Sequence, residues 1–286
     1  MSHLRKLDIC EQGNGLLSAT ILDYLKVPCD CAISILIENQ SVPTTAANYR
    51  HIFAIIATKL SGEGPIKGQA LPKSIALDTC YGCSLTLSPR EKTALGENAP
   101  NVVLQFSRSD VVEFMQGVGS GVLPFSDLTS LTVKNGGTFD EAAWEALRGC
   151  TNVKDLSVSE GDYQVLLKAL LGQTSLAGSS TTALFPHLYS LRLNRVKWHH
   201  HHSSCDPPYA DEPLSVPLSL LLTARQLTEH PLEELVLNDV VHVDRSADPA
   251  WFEKMTQELP KFSWAERQPV HGTYSTCSIC RTVEVQ

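Results

Sequence analysis

The chain has 286 residues, of which 43% are hydrophobic and 19% are charged, so it is long enough and apolar enough to bury a continuous core. Its 23 lysines and arginines against 31 aspartates and glutamates give a net charge of −8 without a basic cluster, which disfavours nucleic acid and membrane as the main partners. No apolar run is long enough to span a bilayer, the polar start 2–6 is unlike a signal peptide, and nine cysteines suit a reducing compartment, so we expect a cytoplasmic or nuclear protein.

A short motif of the form Leu-x-x-Leu-x-Leu recurs along the chain. Its clearest copies are 4–9, 128–133, 153–158, 188–193 and 232–237, and weaker copies place their middle apolar residue at Ile35, Ile75, Leu104 and Phe262. The nine middle residues stand at 7, 35, 75, 104, 131, 156, 191, 235 and 262, so the steps between them are 28, 40, 29, 27, 25, 35, 44 and 27 residues. Most of these steps lie within or at the edge of the period of leucine-rich repeats.

Each repeat of this kind is predicted to be one short strand followed by one helix, because neither element can bury its apolar face without a like neighbour on each side. The predicted fold class is α/β. It is a leucine-rich-repeat solenoid of the ribonuclease-inhibitor type, with a curved parallel sheet on the concave side and helices on the convex side. About nine repeats occupy 1–265, and a tail follows at 266–286.

Helical spacing and helix start signals follow several of the predicted strands. In chain order, the apolar residues from Tyr49 to Leu60 share one helical face, Thr138 and Glu141 form a capping-box pattern, Asp162 precedes an apolar helical run, and Asp248 precedes Pro249. The three long steps contain stretches rich in Gly, Pro, Ser or Thr near 61–72, 173–184 and 198–214, which we interpret as loop insertions in the solenoid.

The residue between the last two apolar positions of each motif is predicted to point to the concave side of the sheet, because successive side chains of a strand alternate between its two faces. The concave sheet is the usual binding surface of such solenoids. The predicted protein-binding residues are Asp8, Gln105, Thr132, Ser157, Arg192 and Val236.

Two features raise the alternative of a metal-binding protein. The run from His199 to His202 offers imidazoles, and two CxxC pairs, Cys80 with Cys83 and Cys277 with Cys280, offer thiolates. The histidine run lies in the longest insertion, where low-complexity sequence is tolerated, and the two CxxC pairs start roughly 29 Å apart if six strand spacings of about 4.8 Å separate them. We therefore predict no metal site, and a metal-binding function stays the alternative.

Catalytic motifs are absent or misplaced in the sequence. The segment 117–121, Gly-Val-Gly-Ser-Gly, follows a predicted helix, whereas a phosphate-binding loop leaves a strand and opens a helix. We interpret it as a helix C-terminal turn. The chain is therefore predicted to be non-enzymatic and to need no cofactor.

The segments 184–193 and 230–239 resemble the leucine-rich-repeat region of fungal, mushroom-type F-box proteins, and the resemblance covers most of 1–265. It implies that the repeats recruit a protein substrate to a cullin-type ubiquitin ligase, whose adaptor binds an N-terminal F-box. The F-box is absent from this sequence, because the first repeat begins at Leu4. The expectation is a protein-protein interaction module that binds the adaptor only if an F-box lies upstream; the other reading is a remnant of a longer gene.

Overall fold

A computed structural model describes 6–13, 15–25, 32–38, 45–61, 74–79, 82–88, 102–107, 111–118, 120, 123, 125–134, 139–172, 183–198, 213–241 and 248–266. Most of the insertions predicted near 61–72, 173–184 and 198–214, and nearly all of the tail predicted at 266–286, lie outside these residues. The domain boundary at 265 therefore stays a prediction.

The described residues form one sheet with helices packed against it. Its strands are β1 Lys6–Gln12, β2 Ala32–Glu38, β3 Ser74–Asp78, β4 Gly82–Ser88, β5 Val102–Ser107, β6 Ser130–Lys134, β7 Asp155–Ser159, β8 Ser190–Asn194, β9 Glu234–Val240 and β10 Lys261–Glu266. The helices are α1 Leu16–Tyr24, α2 Ala46–Ser61, α3 Val111–Val118, α4 Glu141–Ala146, α5 Tyr163–Leu170, α6 Ser215–Gln226 and α7 Asp248–Glu258, with a short 3₁₀ turn at Phe125–Asp127.

The sheet is parallel except around β4, which confirms the α/β class with a mostly parallel sheet. The strand order is β1-β2-β5-β4-β3-β6-β7-β8-β9-β10. Only β4 runs antiparallel, to β3 on one side and β5 on the other. From β6 onward each strand pairs with the next strand of the chain, as the repeats predict.

The order of the strands between β2 and β6 corrects the sequence prediction. The repeats predict neighbours in chain order, whereas β3, β4 and β5 form an antiparallel meander, so that β5 pairs with β2 and β3 pairs with β6. The segment 79–81 between β3 and β4 is too short for the crossover that a parallel pair requires, so the chain can only return antiparallel. A strand therefore stands where a repeat helix was expected.

Apolar side chains on one face of the sheet line up in rows across the strands. Seven of the nine predicted middle residues share one row through the register of the paired strands: Leu7, Ile75, Leu131, Leu156, Leu191, Leu235 and Phe262. Ile35 and Leu104 are shifted by two residues, into the row of Leu77, because Ile33 pairs with Leu7. The shift keeps both residues on the same face.

The helices lie side by side against this apolar face. Contacts join α1 to α2 and continue pairwise to α6, while α7 packs against β10. The residues of the apolar rows are buried from β2 to β9 wherever their side chains are described, with Leu131, Leu156, Leu191 and Leu235 almost inaccessible. Aromatic rings fill the helix-sheet space at both ends, with Tyr49, Phe53 and Phe114 in mutual contact between α2 and α3.

Two of the predicted helix start signals agree with the structure and one does not. Asp162 caps α5 as predicted, accepting hydrogen bonds from the backbone N–H groups of Gln164 and Val165 at 3.1 and 3.3 Å. Helix α7 begins at Asp248. The capping box from Thr138 to Glu141 is wrong, because Asp140 caps α4 instead and accepts from Ala143 N–H at 2.9 Å.

Carboxylates from other elements cap the first two helices. Glu11, at the end of β1, accepts hydrogen bonds from the N–H groups of Gly15 and Ser18 at the start of α1, at 3.0 and 2.6 Å. Glu113, on α3, accepts from the N–H of Ala46 at the start of α2, at 2.6 Å. A negative charge there is favoured by the helix dipole, so both glutamates stabilise helices they do not belong to.

Arg225 is a buried cation held by backbone carbonyls. Its Nη1 donates to the carbonyls of Phe185 and Pro186, both at 3.0 Å, and its Nη2 donates to those of Leu184 and Leu170, at 2.8 and 3.4 Å. Burial lowers the pKa of the guanidinium, yet arginine keeps its charge in proteins. Arg225 therefore fixes the segment before β8 to the end of α5 and to α6.

The row of buried leucines predicts unequal effects on stability. Leu156→Ala is expected to lower the free energy of unfolding by about 2–5 kcal/mol, because it leaves a cavity between the sheet and the helices. Thr132→Ala, on the opposite face of the neighbouring strand, is expected to cost under about 1 kcal/mol. Urea unfolding of both variants measures the difference, and equal shifts would contradict the register described here.

The carbonyl contacts of Arg225 predict a second loss of stability. Arg225→Ala is expected to cost about 2–4 kcal/mol, because several buried carbonyls lose a charged hydrogen-bond donor. Arg148→Ala is the control, since Arg148 forms an ion pair with Glu145 one turn earlier in the chain and both side chains are partly exposed, so a cost below about 1 kcal/mol is expected. Thermal unfolding of the two variants tests this, and similar melting temperatures would disprove the role given to Arg225.

Candidate functional site

The face of the sheet opposite the helices is open and carries a continuous row of residues. Strand by strand, the row contains Asp8, Ser34, Val103, Thr86, Ala76, Thr132, Ser157, Arg192, Val236 and Ser263. Five of the six residues predicted to bind protein belong to it. We call this set the central row.

Gln105 is the predicted residue that lies outside the central row. Its backbone pairs with Leu36 on one side and Ser84 on the other, two residues further along the strands than Val103. The cause is the two-residue shift of Leu104 in the apolar row. Gln105 was predicted to lie on the open side of the sheet. It is two residues after Val103, so its position belongs to the same face of the sheet but to the next row.

Most side chains near the middle of the central row are small, and several of them are polar. Thr132, Ser157 and Val236 are half-buried by their neighbours, while Asp8 and Arg192 are exposed. No described helix covers this face, and Thr132 and Ser157 have short side chains there. The surface is therefore accessible to a partner that can approach the backbone of the sheet closely.

An ion pair crosses β8 and β9 beside the central row. Glu234 accepts a hydrogen bond from the hydroxyl of Ser190, and Arg192 Nη2 lies 3.3 Å from each carboxylate oxygen of Glu234. The Ser190 hydrogen bond, opposed by partial burial and reinforced by Arg192 and Lys261, holds the pKa of Glu234 below its ordinary value of 4.5. The carboxylate is therefore ionised at neutral pH and orients Arg192 on the open face.

Amide and hydroxyl groups are linked where β7, β8 and β9 reach their carboxyl ends. Asn238 Nδ2 donates to Asn194 Oδ1 at 2.9 Å, and Asn194 Nδ2 lies 3.4 Å from the hydroxyl oxygens of Ser157 and Ser159. The hydrogen bonds fix both amides in orientation. Together with the Arg192–Glu234 pair they give the open face a set of ordered donors and acceptors, which suits recognition of polar groups on another molecule.

Near the carboxyl end of each of these strands, one residue has a backbone conformation that residues other than glycine rarely adopt. Glu160, Arg195 and Asp239 all have positive φ, between 52 and 59°. The N–H of Glu160 donates to the carbonyl of Asn194, and that of Arg195 donates to the carbonyl of Asn238. Glu160 and Arg195 directly follow β7 and β8, whereas Asp239 lies within β9, one residue before its end, so the same backbone conformation recurs at one level in three neighbouring strands.

The predicted metal ligands fall mostly outside the described residues. His199 to His202, Cys80, Cys277 and Cys280 lie outside them, and Cys83 is buried on β4. Within the part of the chain that the structure describes, no group of three or more histidine, cysteine or acidic side chains could hold a metal ion. The strand count used for the CxxC pairs is wrong: β3 and β10 are five neighbours apart rather than six, about 24 Å at 4.8 Å per strand.

The glycine-rich segment 117–121 includes a helix end, as the sequence predicts. Gly117 belongs to α3, which ends at Val118, and both the N–H and the hydroxyl of Ser120 donate to the carbonyl of Gly117, at 3.3 and 2.6 Å. A Cβ atom added to Gly117 would lie 2.5 Å from Cβ of Tyr49. The glycine is therefore needed for the close approach of α3 to α2.

A shallow groove on the helix side of the sheet was not predicted from the sequence. It has a volume of about 290 Å³, and Trp251 of α7 lines it and donates a hydrogen bond through Nε1 to the hydroxyl of Ser219, at 2.8 Å. Its other lining residues are Ser215, Val216, Leu220 and Thr223 of α6. In the described ranges no helix is both long and apolar enough to cross a membrane.

Comparisons with protein-family models, with curated proteins and with solved structures found no match to this chain.

The lowered pKa of Glu234 predicts a pH-dependent stability. A carboxyl whose pKa is lower in the folded state stabilises the fold fully above its unfolded value, and this contribution is lost as the pH falls through the folded value. We expect Glu234→Gln to be less stable than the wild type at neutral pH, with the difference shrinking below about pH 4.5. Urea unfolding from pH 7 to pH 3 measures it, with the exposed Glu253→Gln as control; a constant difference would contradict the assignment.

Proposed function

We propose that this chain is a non-enzymatic leucine-rich-repeat solenoid that binds another protein through the open face of its sheet. The repeat steps of 25–29 residues, the alternation of strand and helix from β6 to β10, and the common row of buried leucines support a solenoid. The meander of β3, β4 and β5 is then a local departure within the repeat array.

The observation that carries the proposal is the continuity of the central row across all ten strands. Neighbouring strands lie about 4.8 Å apart, so nine spacings give a face roughly 43 Å long. This length matches the side of a protein rather than a metabolite, since small molecules are held in enclosed pockets. An open, polar and continuous sheet therefore favours a macromolecular partner, and the net charge of −8 favours protein over nucleic acid.

The chemistry of the face indicates where the contact is strongest. Arg192 is exposed at the centre of β8, and its orientation is set by Glu234. Arginine is enriched among the residues that dominate protein interfaces, because it combines planar hydrogen bonding with an apolar stem. Ser157 and Thr132 beside it allow a partner side chain to approach, so β6 to β8 form the proposed centre of binding.

The proposal extends to the class of partner through the resemblance to fungal F-box proteins. On that basis the bound protein is a substrate for ubiquitylation, and this chain is the substrate-recognition part of an F-box-type ligase subunit. The segments 184–193 and 230–239, which carry the resemblance, include most of β8 and most of β9. They therefore contribute the Arg192–Glu234 pair to the open face.

The test is a comparative capture experiment. Wild-type chain, Arg192→Glu and Ser157→Arg are used as baits in cell extract, and bound proteins are quantified by mass spectrometry. We expect at least one protein to bind the wild type and to be reduced roughly tenfold or more with either variant, as loss of an interface hot spot predicts. Lys168→Glu, exposed on α5 on the helix side, is the matched control and should retain that protein.

Two outcomes would contradict parts of the proposal separately. If every captured protein is lost with Lys168→Glu but kept with Arg192→Glu, the binding surface is the helix side. If a protein depends on Arg192 but its cellular half-life is unchanged when this chain is removed, the binding module stands and the ubiquitin-ligase role fails.

A further inference from the structure

No described strand or helix covers the end of the fold formed by β1 and α1. No described strand pairs with the outer edge of β1. Leu7 and Ile9 are only half-buried, although the residues opposite them in β2, Ile33 and Ile35, are buried. Among the described residues, the outer edge of β1 therefore has no strand partner, and its apolar row is incompletely covered.

Helix α1 carries an apolar stripe at the same end. Leu17, Ile21 and Tyr24 follow the helical spacing of one face and are 61%, 41% and 84% exposed. The opposite face of α1 buries Ala19 and Leu22 and contacts α2, which is its only described helix neighbour. This exposed stripe and the outer edge of β1 lie at the same end of the described sheet, since α1 contacts β1, and we call them together the β1 end.

We propose that two copies of this chain pair through their β1 ends about a two-fold axis, with the two β1 strands antiparallel and the two α1 stripes packed together. A second copy supplies the outer edge of β1 with a strand partner that the described residues do not provide, and it covers the exposed apolar residues of β1 and of α1 at the same time. Pairing about a two-fold axis closes the assembly at a dimer, because each copy uses the same surface.

The charges of β1 select the register of this pairing. Lys6 and Asp8 lie on the same side of the strand, and their side chains form an ion pair at 2.9 Å. When Leu7 faces Leu7 of the second copy, Lys6 faces Asp8 of the second copy and the reverse pair forms by symmetry. In the register that places Asp8 opposite Asp8 of the second copy, two carboxylates meet, which is unfavourable across a strand pair. The register centred on Leu7 is therefore preferred.

The same charges argue against a head-to-tail array of β1 on β10. Asp8 and Ser263 occupy the central row, so Lys6 and Lys261, two residues before them on parallel strands, share a row as well. Extending the sheet in its own register would place Lys261 beside Lys6 of the next copy. The like charges disfavour it, whereas the two-fold arrangement pairs opposite charges.

Sedimentation of the full chain over a range of concentrations tests the apolar part of the proposal. We expect a monomer-dimer equilibrium that Leu17→Glu abolishes. Leu220→Glu is the matched control, because Leu220 is a similarly exposed leucine on α6, at 53%, and should leave the dimer unchanged. A wild-type monomer at the highest concentration, or a dimer that resists Leu17→Glu, overturns the proposal.

A charge exchange tests the register. Lys6→Glu and Asp8→Lys alone should each raise the dimer dissociation constant by roughly tenfold, because each places like charges opposite one another twice per dimer. The double variant Lys6→Glu with Asp8→Lys should restore wild-type affinity. If the double variant does not recover wild-type affinity, the proposed register is wrong. If the wild type forms assemblies larger than a dimer and Lys261→Glu changes their size, the two-fold arrangement is wrong and a head-to-tail array is favoured.

Discussion

The rest of this structure depends on one constraint: alternate residues of each strand are buried, and the strand register places the buried residues of neighbouring strands side by side. A strand of five residues buries only two or three side chains, which is too few to hold a helix by itself. When Leu131, Leu156, Leu191 and Leu235 fall in one row, their side chains form a continuous apolar surface that shares one core with the helices. The open face is the complement of this row, because every residue not directed into the core is directed to the other side.

In the meander of β3, β4 and β5, the buried residues stay on the common face of the sheet although the order and direction of the strands change. Strand β4 runs in the opposite direction from all the others, yet Leu85 and Leu87 are buried and face the same layer as Ile75 and Leu77. Reversing a strand keeps the alternation of its side chains, so the two faces of the sheet stay distinct through β3, β4 and β5. What changes is the crossover connections, with α2 leading from β2 across the sheet to β3 and α3 leading from β5 to β6.

The sequence was informative where a feature depends on residues close together in the chain. The strand positions of all nine middle residues and the cap at Asp162 follow from local patterns. The alignment of Ile35 with the middle residues of the other strands could not be predicted in this way. Ile33, Ile35 and Ile37 are all apolar, and a register shift of two residues leaves the same face buried. The step of 29 residues from Ile75 to Leu104 concealed β4, since it has the length of an ordinary repeat.

Features that join distant residues escaped the sequence analysis. Glu113 caps α2 from α3, and Arg225 reaches four carbonyls 39 to 55 residues earlier in the chain. Neither residue belongs to a motif, and a glutamate or arginine on a helix is ordinarily solvated. The same limit applies to the open face: its row of residues could be predicted from the repeats, whereas the hydrogen bonds among Ser157, Asn194 and Asn238 required the strands to be placed side by side.

The inverted order of β3 and β5 has a consequence for how the molecule folds. From β6 to β10 each strand pairs with the one that follows it, so this part can form by successive addition as the chain is made. Strand β2 instead pairs with β5, nearly seventy residues later by the register of Ile33 with Val102, and β3 has one neighbour in β4 and the other in β6. The N-terminal part therefore closes longer loops before its contacts form, which slows folding. Nucleation is then expected in β6 to β9, with the β1 end as the last part to become ordered.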